Sequence, residues 1–125
     1  MEKRKKILVV EDESVIKVIG LKLSNAGFSV DTARNGMDAM DKILADKPDL
    51  ILLDLVTPAL DGFGVLERIR GDRNLREIPV LVFSNLGDQA DIDRANAFGI
   101  VGYVVKAHVQ LEDLVQRVKD FFSRQ

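Results

Sequence analysis

At 125 residues the chain has the size of one ordinary domain, and a content of 46% apolar and 30% charged residues is that of a folded chain rather than a disordered one. A formal net charge of −2 gives no electrostatic reason to expect direct nucleic-acid binding, and the absence of cysteine excludes a disulfide framework, a thiol nucleophile and a thiolate-held metal. No apolar run approaches the ~18 residues of a membrane span. The basic run Lys3-Arg4-Lys5-Lys6, read as solubilising, leads into a strand rather than a signal peptide, so a cytoplasmic protein with no membrane contact is expected.

Ile7 to Val10 is a short β-branched apolar run, the first strand, and it stops at Glu11-Asp12-Glu13. Ser14 to Ala26 carries apolar groups at helical spacing, namely Val15, Val18, Ile19, the Lys22 stem, Leu23 and Ala26, and Gly27 follows as a terminating glycine. Phe28 to Ala33 alternates as a second strand. Asn35 is a suitable N-cap for a helix with Met37, Met40, Ile43 and Leu44, which must end before Pro48.

Leu50 to Asp54 is the third strand. A turn through Pro58 and Asp61-Gly62 leads to a helix with Val65, Leu66 and Ile69, and Gly71-Asp72-Arg73-Asn74 ends it as a polar connection. Pro79 to Ser84 is a fourth apolar strand. Gly87-Asp88 opens a polar helix to Phe98, closed by Gly99, with the weakest apolar face of all. Gly102 to Lys106 is the fifth strand, and Leu111 to Phe122 the last helix. His108, the only histidine, is expected in the loop before that helix, helping to start it because Gln110 is a poor N-cap. Five strands alternating with five helices imply right-handed crossovers and a doubly wound parallel α/β sheet within a single domain, residues 1–125.

Asp54 organises the rest. Leu50-Ile51-Leu52-Leu53 reads as a strand buried on both faces, and a carboxylate inside it would suffer a heavy desolvation cost. Asp54 must therefore stand where the strand emerges, at the sheet edge where open α/β folds bind ligands. The same edge receives Glu11 and Asp12 after the first strand, Ser84 after the fourth and Lys106 after the fifth. Three converging acids would raise one another's pKa, and a divalent cation relieves the repulsion; oxygen ligands without His or Cys favour Mg2+. A carboxylate beside Mg2+, a lysine and a hydroxyl is equipment for phosphoryl transfer, with Asp54 the nucleophile and the other groups sharing the phosphoryl charge.

These residues, with Pro58 and Asp61-Gly62 after Asp54 and Tyr103-Val104-Val105-Lys106 closing the fifth strand, resemble the receiver domains of two-component response regulators, the CheY-like family, over essentially the whole chain. The resemblance implies a flavodoxin-like sheet of strand order 2-1-3-4-5. It implies that Asp54 accepts a phosphoryl group, in a Mg2+-dependent step, from a sensor histidine kinase or histidine phosphotransfer protein. It implies that Asp12, Asp54 and the backbone carbonyl of Val56 bind Mg2+, with Glu11 acting through water, and that Ser84 and Lys106 contact the phosphoryl oxygens. Ser84 and Tyr103 would be the switch residues that remodel the face of the fourth helix, fifth strand and fifth helix. The signal would pass to an effector protein or output domain, from a monomer or a phosphorylation-dependent dimer. On this reading the chain is a signalling switch that catalyses only its own phosphorylation and dephosphorylation.

Three positions depart from the family pattern: Ala107 stands where proline follows the lysine, Asn85 where a small residue is common, and Thr57 where methionine precedes Pro58. Asn85 is expected to narrow the approach to Asp54, and loss of the proline puts the Lys106–Ala107 geometry in question. Val56 and Leu86, at the two positions that tune hydrolysis in the family, are apolar and cannot orient a water, so slow self-dephosphorylation is expected. An enzyme of the haloacid-dehalogenase type would need an acid where Val56 stands, and a flavodoxin-like cofactor binder would not place Glu11-Asp12-Glu13 at its phosphate loop. A receiver-like module that binds partners without phosphorylation is the remaining alternative.

Overall fold

The computed structural model describes residues 4–124. Lys3 of the basic run lies outside the described residues, as does the side chain of Glu13. The elements follow in the order β1 (Lys6–Val10), α1 (Glu13–Asn25), β2 (Ser29–Ala33), α2 (Gly36–Ala45), β3 (Leu50–Leu53), α3 (Gly62–Gly71), β4 (Val80–Ser84), α4 (Gln89–Asn96), β5 (Gly102–Val105) and α5 (Leu111–Ser123). The strands form one parallel sheet in the order β2-β1-β3-β4-β5.

Side chains alternate across a strand, and the core divides accordingly. Leu8, Val10, Ile51, Leu53, Val80 and Val82 face α2 and α3. Ile7, Val9, Leu50, Leu52, Leu81 and Phe83 face α1 and α5. Both faces are covered, which is why the central strands read as unbroken apolar runs.

Register brings the strand ends level. Val10 pairs with Leu53 and Leu53 with Val82, while Ser84 pairs with Val105. The residues that follow β1 and β3 are Glu11 and Asp54, so they leave the sheet side by side. The Glu11 N–H donates to the Ala33 carbonyl at 3.1 Å and the Asp54 N–H to the Val10 carbonyl at 3.0 Å.

The helices differ from expectation at their margins. On α1 the buried positions are Ile16, Ile19 and Leu23, whereas Val18 is exposed. On α2, Ala39, Met40 and Ile43 are buried, while Met37 and Leu44 face outward. Ile19, Leu23, Met40 and Ile43 are in the core as expected, and Val15 and Ala26 pack against it; only the edges of the stripe differ, because an apolar residue beside the stripe looks the same in the sequence as one on it. β5 ends at Val105, and Lys106–His108 form a single 3-10 turn. The peptide bonds include no cis form among the described residues, so Lys106–Ala107 is trans. His108 is exposed on that turn and does not cap α5. Gln110 starts α5 instead, its N–H donating to Asp113 Oδ2 at 3.2 Å, which is how a poor N-cap side chain still begins a helix.

Candidate functional site at the C-terminal sheet edge

Asp54 is the first residue past β3 and is 6% exposed. Its Oδ1 accepts the Val56 N–H at 3.1 Å and its Oδ2 the Lys106 ammonium at 2.9 Å. Lys106 also reaches Glu11 Oε1 at 2.5 Å. Glu11 is 1% exposed, so two buried carboxylates share one ammonium. Lys106 arrives on the 3-10 turn without any proline after it, which answers the question raised by Ala107: a trans bond delivers the ammonium to both acids.

The electrostatics of this triad follow from burial. The Glu11 carboxyl is pushed up from 4.5 to about 7, first by desolvation and further by the Asp54 charge, against the lowering effect of Lys106. The Lys106 pKa is raised: desolvation opposes its charge, but hydrogen bonds and attraction from Glu11 and Asp54 outweigh it.

Asp12 is engaged at the start of α1. It does not meet Glu11 and Asp54 as a third unpaired acid. Its Oδ1 caps α1, accepting the Ser14 N–H at 2.9 Å, the Ser14 hydroxyl at 2.5 Å and the Val15 N–H at 3.3 Å. The Ser14 hydrogen bond leads the causes that hold its carboxyl below the usual range. Among the described residues no three acid or histidine side chains gather at one point as metal ligands would. The donor chemistry nevertheless fits a hard cation. Glu11, Asp12 and Asp54 offer oxygen only, and the buried pair carries more negative charge than Lys106 neutralises.

Ser84 is fully buried at the end of β4, and its Oγ accepts the Leu86 N–H at 3.3 Å. The Tyr103 hydroxyl on β5 donates to the Leu86 carbonyl. The backbone N–H and carbonyl of one residue, Leu86, thus bond the two expected switch side chains. Tyr103 is half-buried, and its pKa is raised by desolvation and then by Asp91 and Asp54. Asn85, directly after Ser84, is exposed, and Val56 is 61% exposed two residues after Asp54.

The loop between β3 and α3 is closed by its own bonds. Pro58 O accepts the Leu60 N–H at 2.9 Å across Ala59, which has φ 68°. Thr57 Oγ1 donates to the Leu60 carbonyl at 3.0 Å, and Gly62 N–H to the Leu55 carbonyl at 3.0 Å. The hydroxyl at position 57 therefore finishes a turn. The sequence marked this position as a departure without indicating that use. The Leu86 peptide was likewise not legible, because a backbone group has no residue signature.

A family model described as the response regulator receiver domain matches residues 7–119. A probable transcriptional regulator, ycf27, of Guillardia theta is 37% identical over 107 residues, which are 85% of this chain and 41% of that protein. The chain spans about half the length of the curated relatives it matches. Among solved structures, the phosphorylated cyanobacterial phytochrome response regulator RcpA superposes with a TM-score of 0.82 at 37% identity, covering 95% of this chain and 91% of that one. The Mn(2+)-bound form of the response regulator Rcp1 gives a TM-score of 0.84 at 27% identity, covering 94% of each.

Proposed function

The chain belongs to the receiver-domain family of two-component response regulators, and from that premise we propose that Asp54 is its phosphoryl acceptor. The observation that carries this reading is the Lys106 ammonium lying 2.9 Å from a nearly buried Asp54 carboxylate at the sheet edge. We take residues 1–125 as one such domain, acting in the cytoplasm. Receiver domains are phosphorylated by sensor kinases and act through effector partners; for this chain the donor is a sensor histidine kinase or a histidine phosphotransfer protein.

In the transfer, an Asp54 carboxylate oxygen forms a P–O bond as the donor's P–N bond to histidine breaks. Lys106 follows the negative charge from the carboxylate to the phosphoryl oxygens, and a trans peptide after it is no obstacle to that role. Glu11, Asp12, Asp54 and the Val56 carbonyl are the groups that would hold Mg2+, with Glu11 reaching it through water. When bound, the cation supplies the positive charge that the buried acids and the phosphoryl oxygens require. Asp12 would hold it with Oδ2, the carboxylate oxygen that its capping bonds leave over.

Ser84 reports the new charge. A phosphoryl group adds roughly −1.5 to −2 charge, and the Ser84 hydroxyl, which accepts the Leu86 N–H and keeps its own proton free, can turn toward the group and donate to it. As Ser84 turns, its bond to the Leu86 N–H loosens, and a shift of the Leu86 backbone, whose carbonyl holds the Tyr103 hydroxyl, lets Tyr103 turn inward. The face of α4, β5 and α5 changes as a result, and an effector reads that face. The chain catalyses only its own phosphorylation and dephosphorylation.

Intact mass after incubation with acetyl phosphate and Mg2+ tests the assignment on wild type and Asp54→Asn side by side. One added phosphoryl group on wild type and none on the variant is expected. Equal addition to both would assign the acceptor elsewhere, and no addition to either would favour a receiver-like module that binds without phosphorylation.

A further inference from the structure

Helix α4 is eight residues long and only Ala95 on it is buried. Its N-cap, Asp88, makes no side-chain bond to the helix. Besides its contact with β5, α4 buries only this alanine, so side-chain contacts to α3 add to what locates it. Two arginines supply the contacts.

Arg94, on α4 itself, lays its guanidinium over the ring of Phe63, 3.9 Å from the centroid. Phe63 is the buried second residue of α3. It follows Gly62 directly, and Gly62 packs so tightly on the backbone after β3 that a Cβ there would lie 2.7 Å from the Asp54 carbonyl oxygen. The Arg94 contact is therefore one aromatic ring and one glycine away from the Asp54 backbone.

Arg70, near the end of α3, holds the turn that follows α4, at the same C-terminal end of the helix as Arg94. Its Nε donates to the Phe98 carbonyl at 2.6 Å, and a second nitrogen lies 3.4 Å from the Gly99 carbonyl. The same guanidinium donates to the Arg76 and Ile78 carbonyls at 3.0 and 2.9 Å, just before β4. A planar fork with five donors suits four carbonyls from two chain segments, and an ammonium does not.

We propose that Arg70 and Arg94 are a pair of clamps that hold α4 in its resting position, and that the shift of the α4 face must work against them. The coupling half of this inference rests on Asp54 being the acceptor. The clamp half does not. Loosening either contact raises the population of displaced α4, and a phosphorylated form that favours displaced α4 then becomes easier to reach. The clamps also give the Asp54 loop a route to α4 through Gly62, Phe63 and Arg94, separate from the one through Ser84 and Tyr103.

The test uses the full chain as Arg94→Met, Arg94→Lys and Arg70→Met, each with amide hydrogen exchange before any phosphorylation. Arg94→Met removes a partly exposed cation–π contact, and α4 amides are expected to exchange about 2–5-fold faster. Arg94→Lys keeps a cation and is expected to recover part of the protection. Arg70→Met is expected to expose α4 and the turn at Phe98–Gly99 at least as much. In all three, β1 and β3 amides keep wild-type protection. Unchanged α4 exchange in Arg94→Met, or an equal rise across β1 and β3, would overturn the clamps whether or not Arg70→Met folds. Modification by acetyl phosphate is then expected to be about 2–5-fold faster in Arg94→Met than in wild type, matching the exchange effect. An unchanged or slower rate would overturn the coupling. If wild type takes no phosphoryl group on Asp54, the acceptor assignment and the coupling fail together, and the exchange data still decide the clamps.

Discussion

Lys106 joins two carboxylates that would otherwise face each other without a counter-charge. Removing one partner of a buried ion pair costs more than the pair itself contributes, because the orphaned charge stays in low dielectric. Here Glu11 can take up a proton in compensation, so Lys106→Met is expected to destabilise the fold by up to about 3 kcal/mol at neutral pH. Urea unfolding at pH 7 and pH 5 measures it, and the loss should be smaller at pH 5. Glu11 also sets a pH dependence of its own. It ionises near 4.5 in the unfolded chain and at about 7 in the fold, so between those values the folded state binds more protons. Stability is therefore expected to fall as pH rises through that window with divalent cations chelated. Denaturation midpoints at steps across it read the slope, and Asp54→Asn should flatten it, since the Asp54 charge is one cause of the shift.

Among the elements, the loop from Asp54 to Gly62 is the most tightly specified by its neighbours. Ala59 holds φ 68°, a left-handed value that an L side chain resists and glycine does not. Ala59→Gly removes that cost but adds freedom to the unfolded chain, so a net gain of about 0–1 kcal/mol is expected from urea unfolding. Gly36, at the start of α2, shows the opposite requirement. A Cβ there would lie 1.8 Å from the Leu60 carbonyl oxygen, a backbone atom that cannot rotate away. Gly36→Ala must push the loop off α2 and is expected to cost about 2 kcal/mol or more. A thermal melt together with the acetyl-phosphate assay checks both consequences, since the displaced loop includes Val56.

For the whole molecule, the site's surroundings bear on how long a signal lasts. Val56 is largely exposed beside Asp54 and Leu86 is half-buried, and neither offers an atom to orient an attacking water. The phosphorylated chain is expected to persist for minutes or longer at neutral pH with Mg2+, as followed by intact mass after removal of the donor. Decay within seconds would contradict that. The persistence would be a property of two apolar side chains, and Val56→Glu or Leu86→Gln is the variant expected to shorten it.

The architecture, and the placing of the candidate residues at one sheet edge, were already legible in the sequence. Buried parallel strands leave unbroken apolar runs, and a polar group ending such a run can only stand at the sheet edge, so Glu11, Asp54, Ser84 and Lys106 were found from spacing alone. Tertiary structure decided what each group bonds to. Asp12 caps α1 through Oδ1, because three donors lie within reach of that one oxygen. Met37, Val18 and Leu44 face outward, because periodicity gives a stripe's spacing more firmly than its edges. The uses of Arg70, Arg94 and the Leu86 carbonyl depend on carbonyls, rings and a hydroxyl brought from distant segments. Local sequence does not encode such contacts, since they exist only once the sheet register and helix packing have set the distances.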